Sequence, residues 1–168
     1  MQSQFAFFVS IAFSVIAWGV ATARYIWPEL RLRSRPQALR PRLILHSFRF
    51  IGLAFVVPGV VSPDLPSAFA HAAAYGDIIA ATVAMFSLLL LPSGAGVVAA
   101  WMFNIWGAAD IFNAFYQANH PGLLAGQLGA AFFPTLIVPL LLITHGLSFR
   151  ILLQRENAPV TNRVRQTA

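Results

Sequence analysis

Five long runs of apolar side chains alternate with short polar breaks along the chain. The runs cover roughly 5–22, 43–61, 68–91, 95–118 and 123–149. Each approaches or exceeds the ~18 residues a helix needs to cross a hydrocarbon core, and ionisable residues interrupt them only singly. The breaks are built from turn formers: Ser62-Pro63-Asp64-Leu65-Pro66, Pro92-Ser93-Gly94-Ala95-Gly96 and Asn119-His120-Pro121-Gly122. Connections this short make successive helices antiparallel neighbours. The pattern predicts a single all-α domain over 1–168, a polytopic membrane protein with a bundle of five transmembrane helices.

Composition supports the same reading. Of 168 residues, 58% are hydrophobic and 10% charged, whereas a soluble domain carries about 25% charged residues. About 97 apolar residues (58% of 168) supply roughly five spans at ~20 residues each. No room is left for a separate soluble catalytic domain. The chain has no cysteine, which excludes disulfides, thiolate metal sites and cysteine nucleophiles. Phosphate-loop, nucleophile-elbow and zinc-protease motifs are missing too, and no metal site is expected. Enzymatic activity is left undecided, with the balance against it.

The net charge of +6 comes from eleven arginines, with no lysine, against five acids. Arg24, Arg31, Arg33, Arg35, Arg40 and Arg42 fall in an expected loop, 24–42, after the first run. Arg150, Arg155, Arg163 and Arg165 fall in an expected tail, 150–168. Five spans put both segments on one side, which the positive-inside rule makes cytoplasmic, with the N-terminus outside. Tyr25, Trp27 and Trp101 then belong at the cytoplasmic interface and Tyr116 near the outer one. No aromatic stacking platform accompanies the arginines, so they read as partners of anionic lipid headgroups, not of nucleic acid. Ala21-Thr22-Ala23 has the form of a signal cleavage site. Met1-Gln2-Ser3-Gln4 lacks a positive n-region, however, and the run is long, so the first span is expected to be retained. Ala72, Gly76, Ala80 and Ala84 repeat every four residues and are expected to pack inside the bundle more than at a dimer face. Pro58, Pro134 and Pro139 are expected to kink spans two and five.

Topology does not account for Arg49, Asp77 and Asp110. Charges inside a span are expensive and usually face the bundle interior. At ~1.5 Å per residue, both aspartates lie about 12–14 Å below the outer interface. An Arg49–Asp77–Asp110 cluster joining spans two, three and four is expected, with Asn104 and Asn113 as further polar members. One cation against two carboxylates leaves one negative charge unbalanced, and one aspartate is expected to keep its proton. Asp110, Asn113 and Gln117 are spaced to share a helix face with Trp106 and Phe103. The cluster reads either as a register-fixing ion network or as a proton or ligand site. His46 and His145 fall at equal depth, about one turn inside the cytoplasmic interface, while His71 and His120 lie on the outer side. The first pair allows a b-type haem or quinone site as a minor reading; the main expectation is no cofactor.

Leu45-His46-Ser47-Phe48-Arg49-Phe50-Ile51-Gly52, Tyr75-Gly76-Asp77-Ile78-Ile79, Phe103-Asn104-Ile105-Trp106-Gly107-Ala108-Ala109-Asp110 and Val138-Pro139-Leu140-Leu141-Leu142-Ile143-Thr144-His145 carry a resemblance. These stretches are similar to a set of small bacterial multi-spanning membrane proteins with no established activity. The resemblance covers spans two to five and implies a bacterial inner membrane. The leading expectation is a non-enzymatic accessory or interaction subunit, associating with other membrane subunits or with itself. A small proton-linked carrier using Asp77, Asp110 and Arg49 is the alternative, and a redox protein using His46 and His145 the third reading.

Overall fold

A computed structural model of the chain describes residues 2–119, 125–129 and 133–154. Helices make up its framework, and no β-strand occurs among the described residues. Helix α1 (Gln2–Ala21) runs through a π-helical turn (Thr22–Ile26) into the short α2 (Trp27–Leu30). Helix α3 (Arg35–Ser47) passes directly into a 3₁₀ helix (Phe48–Val56). Then come α4 (Ser67–Leu90), α5 (Ala95–Asn119), a short 3₁₀ turn (Ala125–Leu128), a π-helical turn (Phe133–Ile137) and α6 (Val138–Leu153). Among the described residues, four helices are long and apolar enough to cross a membrane: Gln4–Leu30, Ser67–Leu90, Ala95–Ala118 and Phe133–Leu153.

The second expected span is built differently. Its first half belongs to α3, which starts well before 43, and its second half is the 3₁₀ helix ending at Val56. Pro58 therefore does not kink a span but follows its end, in a tight turn where Gly59 takes a φ of +84°. Proline has no N–H to extend a helix, and glycine tolerates the left-handed conformation.

The expected arginine-rich loop over 24–42 also contracts. The first helix carries on to Leu30, and α3 starts at Arg35, leaving 31–34 between them. Pro36 sits in the first turn of α3, where a missing N–H costs nothing, and the Ser34 N–H donates to Gln37 Oε1 at 3.3 Å in a capping box. Arg42 consequently lies inside a helix and is buried, its guanidinium donating to the Ala38 carbonyl, instead of meeting headgroups as a loop residue. Arg155, Arg163, Arg165 and His120 lie outside the described residues.

Two apolar clusters occupy opposite ends of the bundle. One joins Leu30, Leu39, Leu43, Leu91, Phe103, Ile151 and Leu152. The other joins Phe55, Leu65, Phe69, Ala73 and Phe133, with Ala114, Ala118 and Val138 against them. Chain ends that should meet in an alternating up-and-down bundle do meet. At the first end Arg35 Nη2 donates to the Gln154 carbonyl at 2.5 Å, and the Arg150 guanidinium lies 3.9 Å from the Trp27 ring centroid. At the second, Ser62 N–H donates to the Gln127 carbonyl at 3.2 Å.

The small residues of α4 are used internally. Gly76, Ala80 and Ala84 are buried, and α4 packs most extensively on α5. Without bulky side chains the two backbones approach closely. By contrast, α1 packs against α6 and the turn preceding it and hardly touches α5. The Trp18 Nε1–H bonds the Leu136 carbonyl at 3.3 Å and helps fix that contact.

Candidate functional site

Arg49 lies on the first turn of the 3₁₀ helix and is 3% exposed. Its Nε–H donates to Asp77 Oδ1 at 2.6 Å, and Nη2 lies 2.5 Å from the same oxygen. Nη2 also donates to Asp110 Oδ2 at 2.6 Å. Nη1 meets the Gly107 carbonyl at 3.2 Å and His145 Nε2 at 3.3 Å. Five guanidinium N–H groups thus face five acceptor contacts, and the rigid fork of arginine makes this possible. The structure brings Arg49, Asp77 and Asp110 together from three elements.

Glycine makes room for the cluster. A Cβ added at Gly76 would overlap the Asp110 carboxylate, and one at Gly52 would overlap that of Asp77. A Cβ at Gly107 would come within 2.5 Å of His145 Cε1. The sequence reading gave Gly76 only a packing role and gave Gly52 and Gly107 none; the available signal was a glycine within an apolar run, on the segment facing each ionisable residue.

Hydrogen bonds assign the histidine tautomers. His145 Nε2 accepts from Arg49, so Nδ1 carries the proton and donates to Asn104 Oδ1 at 2.7 Å. Asn104 Nδ2 returns a bond to the His145 carbonyl at 3.3 Å. Thr144 Oγ1 donates to a backbone carbonyl of its own helix and accepts from His46 Nε2 at 2.9 Å. His46 Nδ1 has no partner among the described residues. Asn104 therefore joins the cluster as a support to His145, one bond removed from Arg49.

Two expectations about this region need correcting. Asn113 does not join the cluster; it is exposed, as is Trp106. The buried face of α5 runs through Ala100, Phe103, Asn104, Gly107 and Ile111. At ~100° per residue Asn113 lies about 120° around the helix from Gly107 and Asp110 only about 60°, so Asp110 sits at the edge of that face. The histidines, in turn, lie deeper within their helices than expected. The helices extend further than expected, placing His46 about 16 Å into α3 and His145 about 12 Å from the end of α6. Both are buried, with ring centroids 4.2 Å apart. A metal held between two imidazole nitrogens needs about 2 Å on either side. These rings touch each other and spend their Nε2 atoms on Thr144 and Arg49, so the pair does not fit axial haem ligation.

On the other side of the charges lies a cavity of about 310 Å³. Arg49, Asp77 and Asp110 line it, and the rest of its wall is nearly all apolar, with Phe8, Phe69, Ala114, Phe115 and Phe133 among the residues contributed by α1, α4, α5 and the turn before α6. A concave apolar chamber with a few convergent polar groups is the general form of a small-molecule site, and such sites occupy ~300–1,000 Å³.

The family model for the domain of unknown function DUF8737 matches residues 6–153. The chain belongs to that family. The matched region includes Arg49, Asp77, Asn104, Asp110 and His145, and all of α3 to α6. No curated protein and no solved structure matches the chain.

Proposed function

We propose that the protein is a multi-pass protein of a bacterial inner membrane that binds a small molecule in the cavity, against Arg49, Asp77 and Asp110. One observation carries this reading: a buried three-charge cluster forms the base of an otherwise apolar chamber. A purely structural ion network has no need of a chamber beside it. The binding element would serve a carrier or a larger membrane assembly.

Five crossings follow if α3 and the 3₁₀ helix together count as one. Thirteen α residues at ~1.5 Å and nine 3₁₀ residues at ~2.0 Å give about 38 Å end to end, against a core of ~30 Å. The end carrying Arg31, Arg33, Arg35 and Arg150 is then cytoplasmic, and the cavity lies in the outer half of the membrane.

The test is thermal unfolding in a mild detergent against a panel of small amphiphiles. At least one should raise the unfolding temperature of the native chain but not of Ala114→Phe, whose ring fills the chamber. A panel without effect, or equal effects on both proteins, overturns the proposal.

A further inference from the structure

We infer that the ligand is a cationic amphiphile: a protonated amine on a short apolar body. This rests on the cavity being a ligand site, as proposed above, and it names what the site selects. Charge is the first ground. Among the residues lining the chamber, one guanidinium, that of Arg49, faces two carboxyl groups, those of Asp77 and Asp110. His145, the neighbour of Arg49, accepts from the guanidinium and is neutral. A cation bound at the base would balance the second carboxylate, which Arg49 alone cannot.

Hydrogen bonding points the same way. Arg49 has committed its donors to Asp77, Asp110, Gly107 and His145, so an anionic ligand would find no free N–H there. The carboxylates have capacity to spare, because each ionised carboxylate offers about four lone-pair sites. Among the described residues no donor bonds Asp77 Oδ2, which lies against Gly52, or Asp110 Oδ1, which lies against Gly76, and the side chains keep 8% and 10% exposure. Donor-rich and positively charged is what such a base accepts. An ammonium group supplies three N–H donors and the missing charge together.

The route into the chamber favours an amphiphile. Helices α1 and α5 both line it, yet they scarcely contact each other. Phe8 and Phe115, exposed at 59% and 43%, stand on the two sides of that gap. Apolar side chains of both helices border the chamber on that side, which suits an apolar tail.

Native mass spectrometry and thermal unfolding of the whole chain in lipid nanodiscs, with n-octylammonium, 1-octanol and octanoate as probes, test the inference. Octylammonium should bind about tenfold or more tightly than octanol, as a charge-assisted bond implies, and octanoate should bind weakest. Asp110→Asn neutralises the surplus charge at nearly constant shape and should erase the preference for ammonium while octanol still binds. Asp77→Asn, which also balances the charge, is the second variant in case Asp110→Asn fails to fold. Dodecylammonium and a phosphatidylethanolamine separate a free amine from a lipid headgroup as the source. If octanol or octanoate binds as well as octylammonium, or both Asn variants keep the preference, the inference fails while the cavity reading stands. If no probe binds at all, the cavity reading fails as well.

Discussion

Gly76 lies where α4 and α5 approach, and its missing side chain is what lets Asp110 reach Arg49. Gly76→Ala therefore tests the cluster without touching a charge. The added Cβ would occupy the space of the Asp110 carboxyl oxygen and carbon. Backbone packing on both sides leaves the carboxylate as the group that must move. Displacing it forfeits the 2.6 Å bond to Arg49 Nη2, and hydrogen bonds to charged groups contribute about 1.5–3 kcal/mol. Residual overpacking adds about 1–3 kcal/mol. Against this, alanine is favoured over glycine within a helix by about 0.5–1 kcal/mol. The net expectation is a loss of about 2–4 kcal/mol. Asp110→Ala removes all three atoms the new methyl would strike, so in that background Gly76→Ala should be neutral or slightly stabilising. Unfolding of the four proteins in a mixed detergent series, followed by circular dichroism, closes the double-mutant cycle. A coupling of about 3 kcal/mol is expected; equal costs of Gly76→Ala in both backgrounds would refute the argument.

Two further substitutions probe the same layer. Arg49→Met strands two carboxylates side by side and should cost about 3–5 kcal/mol, whereas Arg49→Met with Asp77→Asn and Asp110→Asn should recover most of it. Unfolding midpoints measure both, and a triple variant no better than the single would contradict the pairing. Arg42 is buried at 4% exposure, with Nε and Nη1 unpartnered among the described residues; because unsatisfied donors cost about 1–3 kcal/mol, Arg42→Met should leave the midpoint unchanged or raise it, and a marked fall would show that the guanidinium stabilises the fold.

Sequence reasoning reached the four long helices and the meeting of Arg49, Asp77 and Asp110, because hydrophobic run length and the cost of an intramembrane charge are local properties of the chain. It missed what depends on three-dimensional fit. The 3₁₀ segment carries the same apolar residues an α-helix would, so run length could not reveal it. Asn113 looked equivalent to Asp110 because spacing alone says which residues share a face, not where that face ends. His46 and His145 were placed near an interface through boundaries four to eight residues off, enough to shift a side chain by two helical turns. The cavity left no trace in the sequence, since a chamber is space that side chains from several helices fail to fill.

The position of the charges within the bundle limits how the molecule can work. Toward the basic end, Phe103 stands 4.9 Å from the His46 ring and 5.2 Å from that of His145, and behind it Leu39, Leu43, Leu147 and Ile151 close the core. Toward the other end lies the chamber. Buried polar groups, His46, Ser87, Asn104, His145 and Ser148, are interleaved with the hydrocarbon of that core, so the charged layer grades into a mixed core on one side and borders the chamber on the other. Passage through this fold would require the helices around Phe103 to separate, and the buried small residues of α4 against α5 oppose that. The element free to move is α1, which is held to the rest along one side only. On the proposed ligand-binding reading, exchange is expected by displacement of α1 from the chamber, with the charged layer fixed in place.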